Sequence, residues 1–353
     1  MISVSLPRQR NWRSPRIALG GLSLLLLATA IGGMASGAMP LHANEVIGAL
    51  VRWLLHQPAQ GDDQVVLMLR LPRVLMAIVV GAALACSGAT MQGLFRNPLV
   101  EPGLIGVSSG SALGAIAMIV LGNDLLARAP GVLGSFGIAL AAFGGGLLAT
   151  TLVYQFGRRR PGMATLLLAG IAINAIAMAG VGLLTYLANE HQLRDLSFWT
   201  LGSLGGTDWV RLAAVAPLML VPVWLLPRHA GALNALLLGE HEAALLGFHP
   251  QRVRRRLIVL VALATSAAVA MCGVIGFVGL VVPHVLRMVW GPDHRLLLPA
   301  SALAGAALLI GADAVARVIV APAELPIGVI TALVGGPFFL WLLVRLRIGE
   351  VTA

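Results

Sequence analysis

Lysine is absent: all 24 basic residues of the chain are arginine. A P-loop needs a lysine to reach the β- and γ-phosphates of a bound nucleotide, so ATP hydrolysis of that kind cannot reside in this polypeptide. Schiff-base catalysis is excluded on the same ground. Charge of either sign is scarce, with charged residues at 11% of 353 positions and only 14 acids. Aromatic residues amount to 5%, and there are two cysteines, Cys86 and Cys272. Both lie in apolar runs, where small packing side chains are the expected role, ahead of a disulfide or metal pair. There is no His-Glu-x-x-His motif and there are no paired aspartates inside an apolar run, so a metal-dependent or aspartyl enzyme working at membrane depth lacks its residues. The serines Ser108, Ser109 and Ser111 sit in a Gly-rich run with no His nearby in sequence, as small-residue packing would place them.

Apolar side chains fill the space left by these absences. They make up 58% of the chain, and the mean hydropathy is +0.92, far above what a soluble core needs. The 42 glycines fit helices packed closely in lipid, where small residues let backbones approach. The formal charge of +10 does not indicate nucleic acid, because the arginines fall between apolar runs and not on one amphipathic face. The bilayer accounts for them.

A span needs ~20 apolar residues to cross ~30 Å of hydrocarbon. Ten such segments are expected, at about 17–38, 71–93, 103–121, 132–156, 164–188, 209–227, 257–276, 277–290, 297–317 and 326–345. The eighth is short and is expected to be interrupted by Pro283. The chain therefore reads as an all-α membrane protein, one transmembrane domain over residues 1–353 with an N-terminal tail at 1–16. Positive charge is retained on the cytoplasmic side. With both termini inside, 17 arginines fall inside and 7 outside, and the reverse orientation inverts that split. The first run also resembles a cleavable signal peptide, but its length favours an uncleaved helix.

Two connections are longer than turns. In the outer one, Val46, Ile47, Leu50, Trp53 and Leu54 of the piece 44–56 share a helical face. The inner one, about 228–256, holds Leu236-Leu-Leu-Gly-Glu-His-Glu-Ala-Ala-Leu-Leu-Gly-Phe-His-Pro250 and the basic run Arg252, Arg254, Arg255 and Arg256. Its pattern fits an interfacial helix pair and equally a docking surface for a soluble partner.

This inner stretch resembles the cytoplasmic loop of the FecCD-type family of iron-siderophore, haem and vitamin B12 permeases. The likeness extends through Arg70-Leu-Pro-Arg73, Gly88-Ala-Thr-Met-Gln-Gly93, Asn97-Pro-Leu99, Glu101-Pro-Gly103, Gly239-Glu240, Gly276-Phe-Val-Gly-Leu-Val-Val-Pro-His284 and Glu324-Leu-Pro-Ile-Gly328, in order and spacing, over about 65–345. The resemblance implies a type II ABC importer of the bacterial inner membrane. Two copies of this chain would form the path on their twofold axis. Two ABC ATPase subunits would use ATP and Mg below, and a periplasmic binding protein would deliver the substrate above. This chain itself would bind no cofactor and no metal.

The same resemblance assigns residues. Arg70, Arg73 and Arg317 would be sockets for glutamates of the binding protein, a role that suits the guanidinium fork; snorkelling, or a pair between Arg317 and Asp313, is the structural alternative. Leu238, Gly239, Glu240, Leu246 and Gly247 would couple to the ATPase. Pro161, Gly162, Met163, Ala164 and Thr165 would form a cytoplasmic gate, more apolar than in some relatives and compatible with an apolar planar ligand. Asn174, mid-span, is either helix-to-helix glue or a path-lining group. His284 reads as structural, and His42, His56 and His191 as interfacial. The segment Ser197–Trp209 looks most like haem permeases, with vitamin B12 or a ferric siderophore as alternatives. An ion-coupled secondary transporter is the rival from another class, but it needs ionisable groups near the midplane, where Asp313 comes closest.

Overall fold

The computed structural model describes residues 15–37, 39–122, 131–158 and 163–351. Among them the chain forms helices and turns without strands. Seven helices are long and apolar enough to cross a membrane, and three shorter apolar helices bring the total to ten, one for each expected segment.

The hub is α3 (Leu71–Phe95), of which nearly every side chain is buried. It continues a π-helical turn at Val65–Arg70 without a break. The cause is Pro72, whose ring has no N–H and crowds the carbonyl four residues back, so the chain widens locally and the Leu71 N–H bonds to the Val66 carbonyl. Against α3 lies α13 (His294–Val318), the partner with which it shares the most surface. Lipid supplies no hydrophobic drive for such a pair, so close backbone approach must hold it. At the crossing Gly81 faces the Gly305 backbone, and a methyl on either glycine would overlap the other's carbonyl. Gly88 meets Gly279 of α12 (Val278–Trp290), whose carbonyl a methyl on Gly88 would overlap.

The remaining elements pack round this pair. Helix α1 (Pro15–Ala35) leans on α13, α4 (Val107–Leu121) on α5 (Val132–Gly157), and α6 (Met163–Leu187) on both of these. Helix α8 (Trp209–Leu225) lies beside α3 and α11 (Pro250–Cys272). Helix α14 (Ile327–Val351) closes the chain.

Two expectations change. Pro283 lies inside α12, while the break after α11 falls earlier, at residues 273–277, where Gly273 (φ 68°) and Phe277 (φ 67°) take left-handed geometry. At 13 residues α12 is ~20 Å long, shorter than a full span. The outer amphipathic piece is helix α2 (Ala43–Leu54), but it buries Val46 and Ala49 while Ile47, Trp53 and Leu54 stay exposed. Trp53 stacks on Trp209 at 6.4 Å, and Arg52 grips Asp63 at 2.6 Å.

Candidate functional site

At one end of the bundle the end of α1, the start of α3 and the end of α13 converge, and with them Arg70, Arg73 and Arg317. All three are turned inward. Arg70, 7% exposed, donates to the carbonyls of Met34 (2.6 Å), Ala35 (3.0 Å) and Met39. Arg317, 6% exposed, donates to those of Gly33 (2.7 Å) and Ser36 (2.7 Å) and pairs with Asp313 at 3.0 Å. A helix ends with four carbonyls that lack intrahelical partners; here two guanidinium groups cap the end of α1. Arg73 holds Asp313 at 2.8 Å and Glu324 at 2.9 Å, each through two nitrogens. The pair of Arg317 with Asp313 is the alternative read from the i,i+4 spacing. The hold of Arg73 on Asp313 and Glu324, across 240 and 251 residues, has no local signal in the sequence. The expected sockets are thus occupied internally, and only the Arg73–Glu324 edge reaches the surface, with the Glu324 side chain 44% exposed.

At the opposite end the inner connection folds as two short helices, α9 (Ala230–Leu238) and α10 (Glu240–Leu245). Between them Gly239 takes φ 144°, and after them Gly247 takes φ 88°, backbone that a side chain would strain. Leu233, Leu236 and Ala243 are buried against the bundle, whereas Leu238, Leu245 and Leu246 are more than 60% exposed and form an apolar knuckle. Glu240 is tied back by Arg254 of α11.

A second tie was not foreseen from the sequence. The Asn234 carbonyl oxygen accepts from the His294 amide (2.9 Å) and lies 2.9 Å from His294 Nδ1, while its amide donates to Asp293 (2.6 Å). His294 is fully buried, its ring seated on Gly93 of α3. Burial pushes the Asp293 carboxyl up, but the Arg295 amide and Asn234 outweigh it and hold the group below its ordinary value. The contact between Asn234 and His294 spans 60 residues, so only the helix-capping position of Asp293 hints at it.

Of the expected gate, Pro161 and Gly162 lie outside the described residues. Met163, Ala164 and Thr165 open α6, with Ala164 exposed and the other two half-buried. Asn174 faces inward: Ser109 Oγ donates to its Oδ1, and its Nδ2 donates to the Gly103 carbonyl at 3.2 Å. It also lines a cavity of about 440 Å³ together with Glu101, Ser108, Thr200, Thr265 and Phe277. The other face of α6 is bare, with Leu168, Ile171, Ile176, Leu183 and Tyr186 exposed. The segment 197–209 forms the end of α7 (Glu190–Leu201) and the turn into α8, where the Trp209 indole donates to the Leu67 carbonyl at 3.0 Å. His284, buried, meets Phe338 edge-on at 6.2 Å.

The FecCD transport family matches residues 22–345. The chain is 47% identical to the hemin transport system permease protein HmuU of Yersinia pestis, over 94% of this chain and 97% of that protein. It is 41% identical to the vitamin B12 import system permease protein BtuC of Klebsiella pneumoniae, over 96% and 95% respectively. A solved metal-chelate type ABC transporter in an inward-facing conformation superposes with a TM-score of 0.81 at 35% identity, covering 94% of this chain and 99% of that one.

Proposed function

This chain belongs to the FecCD transport family, and from that membership we propose that it is the membrane-spanning permease of an ATP-driven type II importer that carries haem. The observation that carries the proposal is the knuckle of Leu238, Leu245 and Leu246, an apolar surface at one end of the bundle, in a chain similar over 94% of its length to a hemin permease. Leaving three leucines bare at a water-facing end is unfavourable unless a partner covers them. An ATPase subunit seated on α9 and α10 would do so, and it would supply the ATP and Mg chemistry that a chain without lysine lacks.

Gly239, Glu240 and Gly247 would then shape the coupling surface, and the knuckle end would face the cytoplasm of a bacterial inner membrane together with both termini. The bare face of α6 supports a twofold arrangement in which a second copy and the path cover it. Met163, Ala164 and Thr165, with Pro161 and Gly162, would lie at the inner mouth of that path, and Asn174 along it. At the outer end the binding protein would dock over the rim formed by Arg73 and Glu324, with Arg70 and Arg317 as buried supports. Vitamin B12 is the second reading, favoured by the similarity to BtuC.

The test is growth. A host strain deleted for this gene should fail to use haem as its sole iron source and should recover with the gene restored. Unimpaired growth on haem, with vitamin B12 uptake lost, would replace the first reading by the second.

A further inference from the structure

Four arginines crowd the start of α11, the wrong end of a helix for cations, because the macrodipole is positive there. Like charges at i,i+3 and i,i+4 add repulsion. Arg254 escapes both effects by pairing with Glu240. Among the described residues Arg252, Arg255 and Arg256 have no carboxylate partner. These three, with Val259 and Leu260, follow the i, i+3, i+4, i+7, i+8 spacing of one helical stripe. The stripe lines a groove of about 760 Å³, whose far wall is Leu225 at the end of α8 and His229 in the turn that follows. The groove thus holds a cationic end and, one turn further into the membrane, an apolar end.

The surroundings of the groove are apolar and exposed. On α8, Leu220, Val221 and Trp224 are exposed, and the Arg228 guanidinium lies 3.2 Å over the Trp224 ring, the pairing of aromatic and cation found at headgroup level. On the opposite flank of α11, Arg255 also borders a cavity of about 460 Å³ with Arg158, Tyr154, Gln155 and Thr150.

We propose that the groove between α8 and α11 is a binding site for an anionic phospholipid, with its phosphate held by Arg252, Arg255 and Arg256 and its acyl chain laid along Leu225, Val259 and Leu260. The chemistry matches at both ends: a phosphate neutralises three unpaired guanidinium groups, and a chain that is already in the bilayer fills the apolar trough. The proposal rests on the inner placement of this end argued above. The cavity beside Arg158 gives a second headgroup a neighbouring seat.

The experiment is native mass spectrometry of the purified full chain, mixed with equal amounts of phosphatidylglycerol and phosphatidylcholine. The wild type should retain phosphatidylglycerol preferentially. Each arginine near the headgroups contributes roughly fivefold, so the Arg252→Gln, Arg255→Gln, Arg256→Gln triple variant should lose affinity for that lipid on the order of a hundredfold. Arg255→Gln alone should lose about fivefold, which keeps the test meaningful if the triple variant folds poorly. Arg295→Gln, an exposed arginine outside the groove, should behave as the wild type. Equal retention of both lipids by the wild type, or undiminished preference in the triple variant, would overturn the proposal, as would a triple variant that keeps the lipid and loses only a co-purifying ATPase. Failure of the permease reading would show as no ATPase association in any variant, leaving the lipid measurement intact.

Discussion

Replacing Asp313 with asparagine keeps the shape of the side chain and removes the charge between two guanidinium groups. Asp313 is 2% exposed and stands 2.8 Å from Arg73 and 3.0 Å from Arg317. Breaking a buried pair by deleting one partner costs about 3–5 kcal/mol, because the other charge is left uncompensated. Two observations place this site toward the lower figure: the Arg73 side chain is 15% exposed, and it keeps Glu324 at 2.9 Å. A loss of about 3 kcal/mol is roughly two decades in the folded ratio. Arg317 should suffer most, since its remaining partners are the carbonyls of Gly33 and Ser36 and that of Asp313 itself. The end of α1 should loosen first. The assay is unfolding of the purified chain in mixed micelles, with protease nicking near residue 36 as a local reading. Asp313→Asn should lower the midpoint and expose that junction, and Arg317→Met in the same background should cost less than the sum of the single changes. An unchanged midpoint in Asp313→Asn, or in Arg70→Ala and Arg317→Ala, would refute the inward reading and return these arginines to the role of free surface sockets.

Asn234→Ala should leave the chain in the membrane but release α9 from α13, seen as faster hydrogen exchange in 230–238 and weaker ATPase stimulation. Charge reversal at Glu240 combined with Gly247→Pro should abolish coupling while insertion survives, because proline cannot adopt the φ of 88° found there; uptake persisting in that variant would reduce the loop to an interfacial helix pair. The Arg52 hydrogen bonds hold the Asp63 carboxyl down at about 2, so their stabilisation is complete above the ordinary carboxylate range and is lost as pH falls from about 4 toward 2. Tryptophan fluorescence from the Trp53–Trp209 stack should change in that acid window, and the change should vanish in Arg52→Gln.

The spans were legible because bilayer thickness and hydropathy act locally: each apolar run from Ile17 onward maps to one helix. The expected boundary at 276–277 falls in the break between α11 and α12, but the interruption expected at Pro283 does not occur, since Pro283 lies inside α12 and it is the left-handed Phe277, set by what packs round it, that ends the break. Site residues separated in the same manner. The pair of Asp313 and Arg317, four apart, could be read from helical spacing, and the exposed glycine-bounded loop at 236–250 from its composition. The grip of Arg73 on Glu324, across 251 residues, and the seat of His294 on Asn234, across 60, arise from helix packing, which periodicity does not encode. Arg70 shows the limit most clearly. In sequence it is a cation at a span end, equally suited to a socket or an anchor, and only the carbonyls at the end of α1 decide its partner.

Haem uptake is measured most directly in proteoliposomes that hold this chain with its partner ATPase, supplied with the cognate binding protein and ATP. ATP-dependent accumulation of haem is expected, absent when either the ATPase or this chain is omitted and abolished by the Glu240 and Gly247 double change. Accumulation of haem by this chain alone, driven by an ion gradient without ATP, would contradict it.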